Sequence, residues 1–141
     1  MVTGRDVTQI WDFLRGARNV MHDWAEEEKL GVRERAQLNQ KLDMLGRIGF
    51  ETARHLEFLK GTSGNYNHIF KLVVKSQRML RPMLCRGTRD SAGEVTLLAG
   101  AIEKDSRLHP ADAAGQAESR RLFLVDHRER LEQHRIRHER F

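Results

Sequence analysis

The segment from residue 58 to residue 89 carries all of the excess positive charge of this chain. It contains seven Lys or Arg and no Asp or Glu, whereas the whole chain has a net charge of +5, so the other 109 residues sum to −2. Over residues 70–75, apolar side chains recur with the period of two that is typical of a β-strand. The segment therefore predicts a sheet with a cationic face, which suits a partner rich in phosphate. The seven cations are Lys60, Lys71, Lys75, Arg78, Arg81, Arg86 and Arg89.

Length and cysteine content restrict the class of protein. A chain of 141 residues with 39% apolar residues has the size of one domain with a modest core. Cys85 is the only cysteine, which excludes an intrachain disulfide and a thiolate zinc cluster and predicts a reducing, cytoplasmic compartment. Residues 1–6 have no apolar run, and no segment approaches the 18 or so apolar residues of a transmembrane helix, so neither a signal peptide nor a membrane span is expected. A pI near 9.9 favours nucleic acid, an anionic membrane or an acidic protein as partner.

The residues before position 58 show mainly helical periodicity. Apolar residues spaced i, i+3, i+4, i+7 predict a short helix over residues 6–15. Residues 19–22 are interpreted as a short strand. Early acids and a late Lys predict a helix over residues 23–29, and an apolar stripe predicts a stronger helix over residues 33–48.

The pattern then changes to strands. Residues 70–75, 79–86 and 94–102 are predicted to form one antiparallel sheet with turn-rich connections, interrupted at Pro82 because proline cannot donate to a ladder. His109 and Pro110 precede a predicted helix that runs from about residue 111 to residue 138.

The predicted fold is α+β, with a small, twisted antiparallel sheet, two N-terminal helices on one face and a C-terminal helix. Residues 1–125 form the predicted domain. Residues 126–141 are predicted to be a charged, solvated helical extension that is dispensable for function, or else a contact with a second copy or a partner protein.

Three segments, in this order and spacing, carry a family resemblance. Residues 69–73 (Ile-Phe-Lys-Leu-Val) resemble an L-Y-E-L-R strand, residues 79–84 (Met-Leu-Arg-Pro-Met-Leu) an x-Y-R-P-L-Y strand, and residues 97–104 (Leu-Leu-Ala-Gly-Ala-Ile-Glu-Lys) an L-L-H-G-F-x-K-K segment. The chain thereby resembles the RelE/HigB superfamily of bacterial toxin–antitoxin toxins, most closely its phage-derived HigB-like branch. It departs from the pattern at four positions: Lys71, Val73, Ala99 and Glu103.

The resemblance implies a ribosome-associated mRNA endoribonuclease that works without a metal or other cofactor. In such enzymes the RNA 2′-hydroxyl attacks the adjacent phosphate, which calls for a base, cations opposite the developing charge and an acid for the leaving oxygen. The implied partners are mRNA, the ribosome and a cognate antitoxin, typically a helix-turn-helix protein, and a homo-oligomer is compatible with the pattern.

The candidate site residues follow from the cationic segment and from the resemblance. Arg81 is the first choice, because a charged residue in the middle of a strand needs an open face or a partner. The alternative interpretation is an exposed or salt-bridged Arg without a functional role. The predicted catalytic residues are Arg81, Lys71, Arg86, Lys104, Arg107 and His109. The predicted RNA-binding residues are Lys75, Arg78, Arg89, Tyr66 and His68. Lys71 and Arg86 are expected to share one face of the hairpin.

The same residues are compatible with two rival functions. A ParE-type relative would inhibit DNA gyrase and cleave nothing, and a catalytically inactive relative would only bind RNA or a protein partner.

His134 and His138 are four residues apart but lack the intervening Glu of the metalloprotease pattern, so no metal site is predicted.

Overall fold

A computed structural model describes residues 8–62, 65–87 and 93–134 of the chain. The helices in these ranges are α1 (Val20–Glu27), α2 (Val32–Ile48), α3 (Phe50–His55) and α4 (Ala113–Asp126). The strands are β1 (Gln9–Arg15), β2 (Arg18–Asn19), β3 (Leu59–Gly61), β4 (Phe70–Leu72), β5 (Val74–Lys75), β6 (Met79–Leu80), β7 (Met83–Arg86), β8 (Glu94–Ala99), β9 (Ile102–Lys104), β10 (Arg107–His109) and β11 (Leu131–Gln133).

The described strands form two sheets. The larger sheet has seven strands in the order β11-β1-β8-β7-β4-β3, with β2 paired to β1, and the smaller one has the order β10-β9-β6-β5. All pairings are antiparallel except that of β1 with β8, which is parallel. The mixed α and β composition is confirmed, but the main sheet is larger than predicted and not wholly antiparallel.

The strands predicted after residue 68 are confirmed, but each one is divided between the two sheets. The first is split into β4 and β5, the second into β6 and β7, and the third ends at Ala99 before the chain continues as β9. The second strand is interrupted at Arg81 and Pro82, as the missing proline N–H predicts, and the register against β8 shifts between Met83 and Leu84. These breaks let one run of chain contribute to both sheets.

The prediction of a helix over residues 6–15 is wrong for residues 8–15, the part that the structure describes. Residues 9–15 form β1, which lies between β8 and β11, and residues 6 and 7 lie outside the described ranges. Pairing on both sides and burial of Asp12 and Phe13 override a local helical period in a segment rich in β-branched and aromatic residues.

The helices predicted over residues 23–29 and 33–48 are confirmed as α1 and α2. The short strand predicted over residues 19–22 ends at Asn19, because the Asn19 side chain accepts the backbone N–H groups of Met21 and His22 and starts α1 there. Leu38, Leu42 and Leu45 of α2 are fully buried in the core.

The predicted C-terminal helix begins as expected but ends early. Helix α4 stops at Asp126, and residues 131–133 form β11 against β1 instead of a solvated helix. Leu131 packs against the core from this position, which a polar helix could not provide. Residues 135–141, including His138, lie outside the described ranges.

Candidate functional site

A glutamate shared by two cations is the centre of the candidate site. Oε1 of Glu103 lies 3.1 Å from Nζ of Lys71 and 3.3 Å from Nε of Arg81. The three side chains come from β4, the β6–β7 break and β9, so the divided strands bring them together. Arg81 also donates from Nη1 to the carbonyl oxygen of Leu80 at 3.0 Å, and its backbone N–H donates to Ala101.

The three groups differ in accessibility and therefore in what they can do. The side chains of Lys71 and Glu103 are 24% and 26% exposed, whereas that of Arg81 is only 9% exposed. Partial burial acts to raise the pKa of Glu103, but the hydrogen bond and charge of Lys71 and the charge of Arg81 outweigh it, so the pKa lies below its ordinary value. The site thus presents an ionised carboxylate and an ammonium group to solvent. The buried guanidinium of Arg81 contacts the carboxylate from the protein interior.

The strand registers extend this site in two directions. Lys60 on β3 is the cross-strand partner of Lys71, so the two ammonium groups lie on the same face of the main sheet. In the smaller sheet Met79 is the partner of both Lys75 and Glu103 and is 41% exposed. Cations and one apolar side chain therefore adjoin the acid.

The hairpin of β9 and β10 separates Lys104, Arg107 and His109 from Glu103. Lys104 pairs with Arg107, and His109 pairs with Ile102, whereas Glu103 pairs with Leu108. Because side chains alternate between the faces of a strand, the three predicted catalytic residues lie on the opposite face of this hairpin from Glu103. All three are exposed.

The expectation that Lys71 and Arg86 share a face is wrong. Lys71 pairs with Met83, and Phe70 pairs with Leu84, so alternation puts Arg86 on the face of Phe70. The Arg86 guanidinium forms an ion pair with Glu51 and lies 4.3 Å from the ring centroid of Phe50. Arg86 and His68 line a separate cavity of about 450 Å³ beside Phe50 and Phe70.

Of the remaining predicted RNA-binding residues, Arg78 and Tyr66 lie apart from the cluster, whereas Lys75 borders it through Met79. Arg78 donates from Nε and Nη2 to the buried carboxylate of Glu34, at 2.9 and 2.8 Å, and also pairs with Glu28. The half-buried Tyr66 packs near Gly115 of α4, and Lys75 is exposed on β5. Arg89 lies outside the described residues.

Glu103 is the residue that sequence reasoning missed, because it was interpreted only as a departure from a family pattern. A usable signal was present. Cations in a segment without acids must find carboxylates elsewhere if they are buried, and Glu103 follows the last buried strand residues closely. What the sequence could not supply was the register that places β9 beside β6.

No group of three His, Cys, Asp or Glu residues within residues 8–62, 65–87 and 93–134 has an arrangement that could hold a metal ion. In the same ranges, every helix is too short or too polar to cross a bilayer. Comparison with protein-family models, with curated proteins and with solved structures finds no match for this chain.

Proposed function

We propose that this protein is a metal-independent endoribonuclease of the RelE/HigB-like toxin type, acting on mRNA with the ribosome and controlled by an antitoxin. One observation carries the proposal. A solvent-accessible carboxylate, Glu103, is held between Lys71 and Arg81 on a cationic face of the protein. An ionised acid beside fixed cations supplies the groups that 2′-hydroxyl attack on a phosphate requires.

The roles follow from accessibility. Glu103 accepts the proton of the 2′-hydroxyl as the bond from the 2′-oxygen to phosphorus forms. Lys71 is the exposed cation of the cluster, so it opposes the charge on the phosphate and donates a proton to the 5′-oxygen as its bond to phosphorus breaks. Arg81 is a positioning residue, because its buried guanidinium contacts Glu103 and the Leu80 carbonyl. Lys60, Lys75 and Met79 border the path of the flanking RNA.

A catalytically inactive protein that binds RNA or a protein partner is the second candidate. The lowered pKa of Glu103 favours this candidate, since a carboxylate stabilised by two cations is a weak base. Both candidates predict RNA binding that weakens with salt, with a slope of about −0.7 per phosphate contact on single strands.

Cleavage of a defined RNA separates the candidates. We expect the wild type to release a 2′,3′-cyclic phosphate end without divalent metal, and to leave uncut an RNA with a 2′-deoxy nucleotide at the scissile position. Glu103→Gln should lower the rate by about 10²–10⁴-fold while RNA affinity is kept. Glu27→Gln, which removes an exposed carboxylate on α1, is the matched control.

Three results would each contradict a part of this proposal. Wild-type rates in Glu103→Gln would remove the assigned base, and cleavage of the 2′-deoxy RNA would remove the mechanism. Growth arrest with intact mRNA 5′ ends and inhibited DNA gyrase would identify the ParE-type rival instead.

A further inference from the structure

A second feature of the surface lies apart from Glu103. A groove of about 860 Å³ runs between α2 on one side and strands β3 and β5 on the other. We call it the α2–β5 groove. Four cations line it: Lys41, Arg47, Lys60 and Lys75. Its acids are Asp43 and Glu57, so the lining carries a net positive charge.

Among the described residues, the four groove cations have no carboxylate partner, unlike the cations of the candidate site. Arg78, Arg81 and Lys71 each pair with a glutamate. By contrast, within residues 8–62, 65–87 and 93–134 none of the four groove cations forms an ion pair, and Lys41 instead lies 4.2 Å from the ring centroid of Phe58. A concave surface lined by four cations and only two acids favours an anionic occupant.

Apolar side chains lie between these cations, together with the amides of Gln37 and Gln40. Met44 of α2 faces the groove with Leu56, Phe58 and Val73 of the strand side, and Leu56 is 51% exposed. A phosphate backbone gains nothing from Met44, Leu56 and Val73, whereas a polypeptide can place apolar side chains on them. The ring of Phe58, which a base would need for stacking, has Nζ of Lys41 over one face. The mixed lining therefore favours an acidic polypeptide over a nucleic acid.

The strands beside the groove are sheet edges. In the part of the chain that the structure describes, β3 is the last strand of the main sheet and β5 the last strand of the smaller one. Edge strands present main-chain donors and acceptors that an extended peptide can pair with. A peptide lying along β3 would have its backbone satisfied there and its side chains beside Lys60 and Phe58.

We infer that the α2–β5 groove binds an extended, acidic segment with interspersed apolar side chains from a partner protein. The segment would place carboxylates against Lys41, Arg47, Lys60 and Lys75 and apolar side chains against Met44, Leu56 and Phe58. The groove does not include Glu103 or Arg81, but it shares Lys60 and Lys75 with the proposed RNA path, so the test must separate peptide binding from RNA binding.

Peptide selection on the folded protein tests the inference. A displayed library of random 12-residue peptides is selected on the wild type and counter-selected on the Arg47→Glu/Lys75→Glu variant. Both of these cations are exposed, and neither is in the core. Lys29→Glu/Arg33→Glu, which changes the net charge equally at exposed positions outside the groove, is the matched control.

We expect the surviving peptides to be enriched in Asp, Glu and apolar residues. A selected peptide should bind the groove variant at least tenfold more weakly than the wild type, and the control variant within twofold. The single variant Lys75→Gln, which perturbs the fold least, should weaken the same peptide about threefold. The absence of acidic, apolar sequences after counter-selection would overturn the inference. It would also fall if a labelled oligouridylate, but not the peptides, lost affinity in the groove variant, because the groove would then be a nucleic-acid site.

Discussion

Nδ1 of His134 lies 2.8 Å from Oδ1 of Asp12, a carboxylate that is fully buried. Nε2 of the same ring lies 3.0 Å from Oδ1 of Asn39, and Asn19 donates to Asp12 at 3.0 Å. The pair joins the first and last described strands through side chains as well as through the β1–β11 ladder. The buried carboxylate is tolerable because these donors surround it.

Replacing His134 should therefore be costly. In His134→Ala a buried carboxylate loses a charged or hydrogen-bonding partner, so the free energy of unfolding should fall by about 3 kcal/mol. Urea denaturation measures this, with Gln133→Ala as the control because the neighbouring Gln133 is exposed. Equal stabilities of the two variants would show that the pair contributes nothing.

The same contacts predict that residues 126–134 are needed for stability, contrary to the expectation from the sequence. A chain ending at Val125 loses β11, the His134 contact with Asp12 and the cover of one edge of β1. We expect it to be less stable and to self-associate, since an uncovered edge strand pairs with other chains. A chain ending at His134 retains all the described contacts and should behave as the wild type. Size-exclusion chromatography and thermal denaturation compare the two, and a stable, monomeric protein ending at Val125 would restore the dispensable-tail hypothesis.

Strand β1 and Glu103 are two features that the sequence does not predict. The helices α1 and α2 and the antiparallel neighbours β4, β7 and β8 follow from the sequence, because they depend on local periodicity and short connections. The identity of β1 does not, because its helical spacing is overruled by pairing with β8 and β11, which are distant in sequence. Glu103 was missed for the same reason, since its role depends on the register of β9 against β6. Non-local pairing is the information that a single sequence does not display.

Glu34 and Arg78 predict a specific acid dependence of stability. The hydrogen bond from Arg78 lowers the pKa of Glu34 below its ordinary value, although burial opposes it. A lowered folded-state pKa stabilises the protein above the ordinary carboxyl range, and this stabilisation is lost as pH falls through the folded-state pKa. Arg78→Ala should cost about 2 kcal/mol at neutral pH and flatten the decline in stability below about pH 4.

Urea denaturation between neutral and acidic pH measures both effects, with exposed Arg33→Ala as the control. Parallel stability curves for Arg78→Ala and the wild type would mean that Arg78 does not set the ionisation of Glu34.

Gly100 separates two buried segments and cannot carry a side chain. A Cβ built at Gly100 would overlap the indole ring of Trp24, which is itself buried. Gly100→Ala should therefore lower the free energy of unfolding by about 3 kcal/mol, or prevent folding, because tightly packed core side chains cannot move far enough to make room for the methyl group. Gly61→Ala is the control, since nothing lies within 4 Å of a Cβ there. Circular dichroism and urea denaturation of both variants check this, and a Gly100→Ala variant as stable as Gly61→Ala would require that Trp24 moves freely.

Arg81 should act on catalysis through Glu103 and on stability through its burial. Arg81→Ala leaves space in a buried site and removes the donor to the Leu80 carbonyl, so it should cost about 2 kcal/mol of stability. It also removes a positive charge that lowers the pKa of Glu103. If Glu103 is the base, its pKa should rise, and the acidic limb of the pH–rate profile for RNA cleavage should move to higher pH.

Arg81→Lys keeps the charge but not the planar fork, so it should restore most of the pH profile and less of the stability. Measuring cleavage from about pH 4 to 8 for the wild type and both variants, below their unfolding temperatures, separates the two roles. A folded Arg81→Ala variant whose acidic limb coincides with that of the wild type would leave Arg81 with a structural role only.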